Sequence, residues 1–144
     1  GDENYVNKLK ELAEEFSIAS KINWLGHGNN EQQFKVMANR DLMVLPSFDE
    51  NFANVVIECL SVGTPVLLTR NVGLADYVER HELGWVCQRS KEDLLKKLIM
   101  ISKDKEKIAK IFEKAPDIIR EDFNDATLVQ EYIGMYEKVI YNRK

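Results

Sequence analysis

Apolar residues recur along this chain in two rhythms, and the switching between them lays out alternating helices and short buried strands. Tyr5, Leu9, Leu12, Ala13 and Phe16 share one face at helical spacing, which predicts an opening amphipathic helix. Ile22-Asn23-Trp24-Leu25 reads as a short strand, closed by the loop Gly26-His27-Gly28-Asn29-Asn30. A helix over about 31–39 should bury Phe34, Met37 and Ala38. The unbroken apolar run at 42–45 is what a strand buried on both faces looks like. A helix over about 53–62 comes next, with Val55, Val56, Cys59 and Leu60 toward the core. Gly63-Thr64-Pro65 stops it and a strand over 65–69 begins. The loop at 70–73, a short helix ending near residue 79 and a strand at 84–87 complete the alternation.

From there the pattern is helical throughout. Ser90 with Asp93 three residues on is a capping-box arrangement for a helix burying Leu94, Leu95, Leu98 and Ile99. A second helix uses Ile108, Ile111 and Phe112, and Pro116 is expected to interrupt the chain beyond it. The last helix, about 126–140, is expected to bury Leu128, Val129, Tyr132, Met135, Tyr136, Val139 and Ile140 against a core or a partner domain. Strand–helix alternation implies an α/β fold, a doubly wound, Rossmann-like parallel sheet, with the helices of residues 91–142 packing on a domain that spans 1–144. Four strands are few for such a sheet, and Gly1 reads as the end of a strand whose own sequence is absent. The expectation is a chain cut from within a domain, whose unpaired sheet edge invites self-association.

Composition narrows the classes. The chain has 144 residues, enough for one domain, and a formal net charge of −4, which offers no basic field for nucleic acid. No apolar run approaches the roughly 20 residues that cross a bilayer, so a cytoplasmic location is expected. Membrane association at the inner face is left open. Cys59 and Cys87 show no CxxC spacing and read as buried reduced thiols, with no metal site.

The chemistry concentrates in Pro46-Ser47-Phe48-Asp49-Glu50-Asn51-Phe52-Ala53-Asn54, between a strand and the helix after it. Open α/β sheets bind ligands at this place, beyond the carboxyl ends of the strands. Glu50 is aimed by the loop, whereas Glu58 falls with Asn54 and Ser61 on one polar stripe of the helix. The N–H groups of Phe52, Ala53 and Asn54 point back toward the loop and, with the helix dipole, suit a phosphate or pyrophosphate. Carboxylates on either side accept from paired hydroxyls, so the site suits a ligand that carries both phosphates and sugars. An alternative use of Glu50 is to compensate the helix dipole.

This segment resembles the signature of the retaining GT-B glycosyltransferases of the group 1 family. Glu50 and Glu58 match the family's glutamate pair, Gly63-Thr64-Pro65 its turn after the helix, and Val72-Gly73-Leu74 its glycine loop. The resemblance implies the later part of the C-terminal, donor-binding domain, incomplete at its N-terminal side. It also implies transfer of a sugar from a nucleoside-diphosphate donor to an acceptor hydroxyl, with retention and with no metal or other cofactor. Glu50 would hold hydroxyls of the donor sugar and Glu58 those of the ribose. Backbone amides of Asn51, Phe52, Ala53 and Asn54 would bind sugar and diphosphate, His27-Gly28 would lie near the base, and Gly73 would let backbone approach the ligand. Asp76 matches an acidic position whose expected use is helix capping. The chain departs from the pattern in placing Asn51 and Ala53 where glycine is common, and in lacking the arginine and lysine that neutralise the departing diphosphate. The partner domain that would bind the acceptor is missing, so the isolated chain is expected to be inactive. A nucleotide-sugar epimerase or hydrolase on the same architecture, and a non-catalytic nucleotide- or partner-binding module, are the alternative readings.

Overall fold

The computed structural model describes residues 2–26 and 28–141, apart from the side chain of Asn30. They fall into two compact units, 1–30 and 31–144. In the first, α1 (Glu3–Glu15) starts where the Asp2 carboxylate accepts from the Asn4 N–H at 2.9 Å, an ordinary N-cap. Ser17, at φ 55°, turns the chain out of the helix into a 3₁₀ turn at Ala19–Lys21. Ala13 is buried, while Tyr5, Leu12 and Phe16 of the expected apolar face stay exposed. Residues 22–25 do not form the expected strand. Ile22 is extended, but a strand exists only through its ladder, and no described segment pairs with this one.

The second unit is built on three parallel strands, β1 (Met43–Leu45), β2 (Val66–Thr69) and β3 (Gly84–Cys87), in the order β1-β2-β3. Leu45 lies opposite Leu68, and Leu68 opposite Val86. Every residue of β2 and β3 is buried, as a sheet covered on both faces requires. The helices are α2 (Asn30–Met37), α3 (Asn54–Ser61), α4 (Ala75–Arg80), α5 (Lys91–Ile101), α6 (Lys105–Asp122) and α7 (Asp125–Tyr141). One core joins Val56, Cys59 and Leu60 of α3 to the strands, to Val78 of α4, and to Ile111, Ala115 and Ile119 of α6. Phe34, expected inside, is 38% exposed.

Gly63 lets the chain pass from α3 to β2. It has φ +90°, and a Cβ there would lie 2.7 Å from the Phe112 carbonyl oxygen of α6. The Thr64 hydroxyl donates to the Met37 carbonyl at 2.7 Å, so the Gly-Thr-Pro turn is fixed from two sides. Ser90 caps α5 as expected, its hydroxyl accepting from the Asp93 N–H at 3.1 Å. The Asp93 carboxylate accepts instead from the Gln88 N–H at 2.7 Å, which ties the helix start to the end of β3.

Three expectations about the C-terminal helices are corrected. In α5, Leu95 and Ile99, expected inside, are exposed. Pro116 does not interrupt the chain: α6 runs 18 residues straight through it. Proline removes one i→i−4 bond, but the buried Ile111, Ala115 and Ile119 hold the helix on either side. The stripe on α7 is not buried. Val129, Tyr132, Met135, Tyr136, Val139 and Ile140 are all more than half exposed, and no described residue of α7 belongs to the core. Helical periodicity reports that a face is apolar, not what covers it. No described helix is long and apolar enough to cross a membrane.

Candidate functional site

The chain leaves β1 at its carboxyl end and runs through Ser47 to α3, held on both sides. Thr69, at the end of β2, donates its hydroxyl to the Ser47 carbonyl at 2.6 Å. Glu50 forms a parallel bridge with Val72, its N–H donating to the Asn71 carbonyl at 3.3 Å. The Gly73 N–H donates to the Glu50 carbonyl at 2.8 Å. A Cβ on Gly73 would overlap the Asn51 carbonyl oxygen. The close backbone approach at Gly73 is therefore made to the Glu50 loop of the same chain, and it fixes that loop while the Glu50 side chain stays exposed.

Ala53 precedes α3 in the left-handed region, at φ 66° and ψ 72°, and no side chain caps the helix. An alanine there is strained by its Cβ, and left-handed residues of this kind are among those that build anion-binding nests of successive N–H groups. The N–H groups of Asn51, Phe52, Ala53 and Asn54 find no acceptor among the described residues. Free amides at a helix start, with the positive end of its dipole, are a ready seat for a phosphate.

One turn further on, α3 forms the wall of a cleft of about 620 Å³. Asn54, Ile57, Glu58 and Ser61 line one side, and Leu128, Glu131 and Tyr132 of α7 the other. Phe34, Phe52 and Phe123 complete it. Phe52 meets Phe123 edge-on at 6.2 Å, and Phe123 meets Tyr77 edge-on at 5.2 Å. The Tyr77 hydroxyl donates to Asp122 at 2.7 Å, which anchors the α6–α7 junction beside the start of α3. A larger cavity, of about 760 Å³, lies among Leu42, Pro65, Leu98 and Phe112 at the amino ends of β1 and β2. That end of an open α/β sheet is away from its binding crevice, and the smaller cleft is the candidate.

Of the residues singled out in the sequence, Phe52, Asn54 and Glu58 line this cleft. Glu50, Asn51, Ala53 and Gly73 lie in the loops leading to it. Gly28 belongs to the first unit, and His27 lies outside the described residues. Asp76 does not cap α4; it accepts from Arg70 at 3.2 Å. Arg70 also grips Glu79 through two bonds, of 2.6 and 2.8 Å, which hold the Glu79 carboxyl below the usual carboxylate range. Arg89 sits 4.7 Å from the Phe48 ring centre. Sequence reading missed the contributions of Phe34, Phe123, Glu131 and Tyr132. The i, i+3, i+4 spacing of Leu128, Glu131 and Tyr132 was there to be read, but nothing in it says which cleft that face borders. Among the described residues no group of three His, Cys, Asp or Glu side chains is placed to hold a metal ion.

A family model described as glycosyl transferases group 1 matches residues 1–117. The N-acetyl-alpha-D-glucosaminyl L-malate synthase of Bacillus anthracis is 26% identical over 145 aligned residues, covering 100% of this chain and 38% of its own length. WaaG, a glycosyltransferase of lipopolysaccharide biosynthesis, superposes with a TM-score of 0.72 at 26% identity over 88% of this chain and 34% of its own. HepE of Anabaena, solved in complex with UDP, gives 0.79 at 23% identity over 94% of this chain and 37% of its own. The chain thus spans between 34% and 38% of the length of these three proteins, and the two solved structures among them share its Rossmann-like α/β fold, as the GT-B resemblance implied.

Proposed function

This chain belongs to the group 1 glycosyl transferases, and from that premise we propose that it is the donor-binding part of a retaining glycosyltransferase that uses a nucleoside-diphosphate sugar. The carrying observation is the uncapped start of α3, where four amides face no acceptor one turn from Glu58. The donor's diphosphate lies on those amides, Glu58 accepts from the ribose hydroxyls, and Glu50 accepts from hydroxyls of the sugar. HepE, solved in complex with UDP and also with UDP-glucose, supports this class of ligand.

In the reaction the bond from the anomeric carbon to the diphosphate oxygen breaks. A bond from that carbon to the acceptor oxygen forms on the same face. The acceptor's proton passes to the departing diphosphate. Charge grows on the diphosphate, and preorganised amides at a helix start stabilise it without any metal. Both glutamates act by binding: Glu50 sits on the loop and Glu58 on α3, a spacing that suits an extended donor better than the facing carboxylate pair of glycoside hydrolases. The acceptor binds on the partner domain, and the resemblance puts the arginine and lysine that neutralise the diphosphate near the start of the donor-binding domain itself. Two free, buried cysteines fit a reducing, cytoplasmic setting.

The test is turnover in the full-length protein. Glu50→Ala and Glu58→Ala should each lower kcat/KM by at least about a hundredfold, on the scale of lost transition-state contacts. Near-native rates in both variants would remove the basis of the proposal. Product NMR reads retention directly, and an inverted anomeric centre would end that part of it.

A further inference from the structure

The amides of Asn51, Phe52, Ala53 and Asn54 serve an anion only while the backbone keeps its shape, and two sets of contacts hold that backbone. Bonds and close packing from Asn71, Val72 and Gly73 fix it at Glu50 and Asn51. One residue on, the hold passes to a side chain. Phe52 is 46% exposed, so burial constrains its ring less than its edge-on contact with Phe123 does, at 6.2 Å and 68°. Phe123 follows α6 as its C-cap and meets the Tyr77 ring edge-on at 5.2 Å and 76°. Tyr77 is itself fixed: its hydroxyl donates to Asp122 at 2.7 Å, and its ring centre lies 4.4 Å from that of His81. Tyr77 stands on α4, the helix that Val72 and Gly73 lead into, with the Ala75 N–H donating to the Val72 carbonyl at 2.8 Å. The contacts therefore close a circuit, from the Glu50 loop through Gly73 to α4, and from Tyr77 through Phe123 back to Phe52.

We propose that Tyr77 is a positioning residue of the donor site: acting through Phe123, it holds Phe52, and with it the four amides, in the geometry that binds a diphosphate. This rests on the reading of those amides as the diphosphate seat. Its own content is a role for a residue outside the described lining of the cleft and outside the glutamate signature. The left-handed Ala53, at φ 66°, makes such a hold necessary, because a strained residue relaxes once its neighbours are free to move. The Tyr77 ring is not what keeps α4 in place: Val78 is fully buried, and Lys114 of α6 donates to the His81 carbonyl at 2.9 Å. The Tyr77 side chain can thus be changed with the scaffold standing.

Titration calorimetry of the 144-residue chain tests this, with pyrophosphate and with the tightest-binding of UDP, ADP, GDP and CDP, at a temperature where circular dichroism shows each variant folded. Tyr77→Leu should weaken pyrophosphate and nucleotide by the same factor, about threefold to tenfold, the worth of one edge-on aromatic contact. Tyr77→Phe keeps the ring and should bind both as the parent does, though it loses the bond to Asp122. Phe123→Leu should repeat the loss, and it carries the test if Tyr77→Leu does not fold. Glu58→Gln should weaken the nucleotide alone, since pyrophosphate has no ribose. Unchanged affinities in folded Tyr77→Leu beside a weakened Glu58→Gln would overturn the positioning role and keep the site. A loss for the nucleotide alone in Tyr77→Leu, or a Tyr77→Phe that binds no better than Tyr77→Leu, would overturn it as well. A parent chain that binds neither pyrophosphate nor any of the nucleotides would overturn the seat and the positioning role together.

Discussion

Ala53 is the residue on which the site geometry turns. Its φ of 66° holds it in a conformation that costs an L-residue with a Cβ about 1–2 kcal/mol. The strain persists because neighbours fix the loop on either side: Glu50 is bridged to Val72, and the Val56 N–H donates to the Ala53 carbonyl at 2.9 Å. Strained backbone concentrates where function needs a special geometry. Ala53→Gly should therefore stabilise the chain by about 1 kcal/mol, after allowing for the extra freedom glycine has when unfolded, and should keep nucleotide affinity. Urea unfolding and calorimetry on the two proteins check this, and a less stable glycine variant would refute the strain argument. Alanine itself signals helix and gives no hint of positive φ; the pointer to a left-handed residue was the glycine common at this position in the resembled family. By contrast, the stripe of Asn54, Glu58 and Ser61 was legible, because helical periodicity alone places those three together.

At the scale of elements, legibility tracked burial. The runs that became β2 and β3 are buried throughout, and strands enclosed by helices require such unbroken composition. By comparison β1, expected to be buried on both faces, lies at the edge of the described sheet and leaves Val44 exposed. Residues 22–25 are apolar apart from Asn23 but lack a ladder, and pairing is not a local property. Pro116 shows the converse: a strong local signal overridden by packing. Its ring leaves the Phe112 carbonyl, four residues earlier, without its helical donor. That same carbonyl faces Gly63 at the end of α3. A close crossing of α3 and α6 thus falls where one helix has a free carbonyl and the other chain has no side chain. Gly63→Ala would add both a left-handed alanine and a clash at 2.7 Å with an atom that cannot retreat. A loss of about 2–4 kcal/mol is expected in chemical denaturation, from backbone strain and overpacking together. Because α3 carries Glu58, the same variant should also weaken nucleotide binding. A loss below about 0.5 kcal/mol would mean that α6 can shift freely and that the crossing does not position the site.

For the whole molecule, ionisable groups sealed in the core limit stability on the alkaline side. Burial, helped by the neighbouring Glu58 carboxylate, pushes the Cys59 thiol from its ordinary 9.0 up to about 11. Burial likewise raises the Cys87 thiol, and burial with the hydrogen bond to Asp122 raises the Tyr77 hydroxyl. A group whose folded pKa is raised keeps its proton in the native state after the unfolded chain has released it. The unfolded state then binds fewer protons, so stability falls with rising pH. The contribution is intact below pH 9 and is lost as the pH climbs from about 9 toward 11. For Cys59 alone, two pKa units correspond to roughly 2–3 kcal/mol. Urea midpoints measured from about pH 7 to 11 should hold steady at first and then drop, and Cys59→Ala should flatten part of the drop. Tyr77→Phe should remove a further part, since the hydroxyl that resists ionisation is gone. Were the midpoint unchanged up to about pH 11, the thiol would have to be reached by water, and the seal that α3 makes between the core and the Glu58 cleft would not exist.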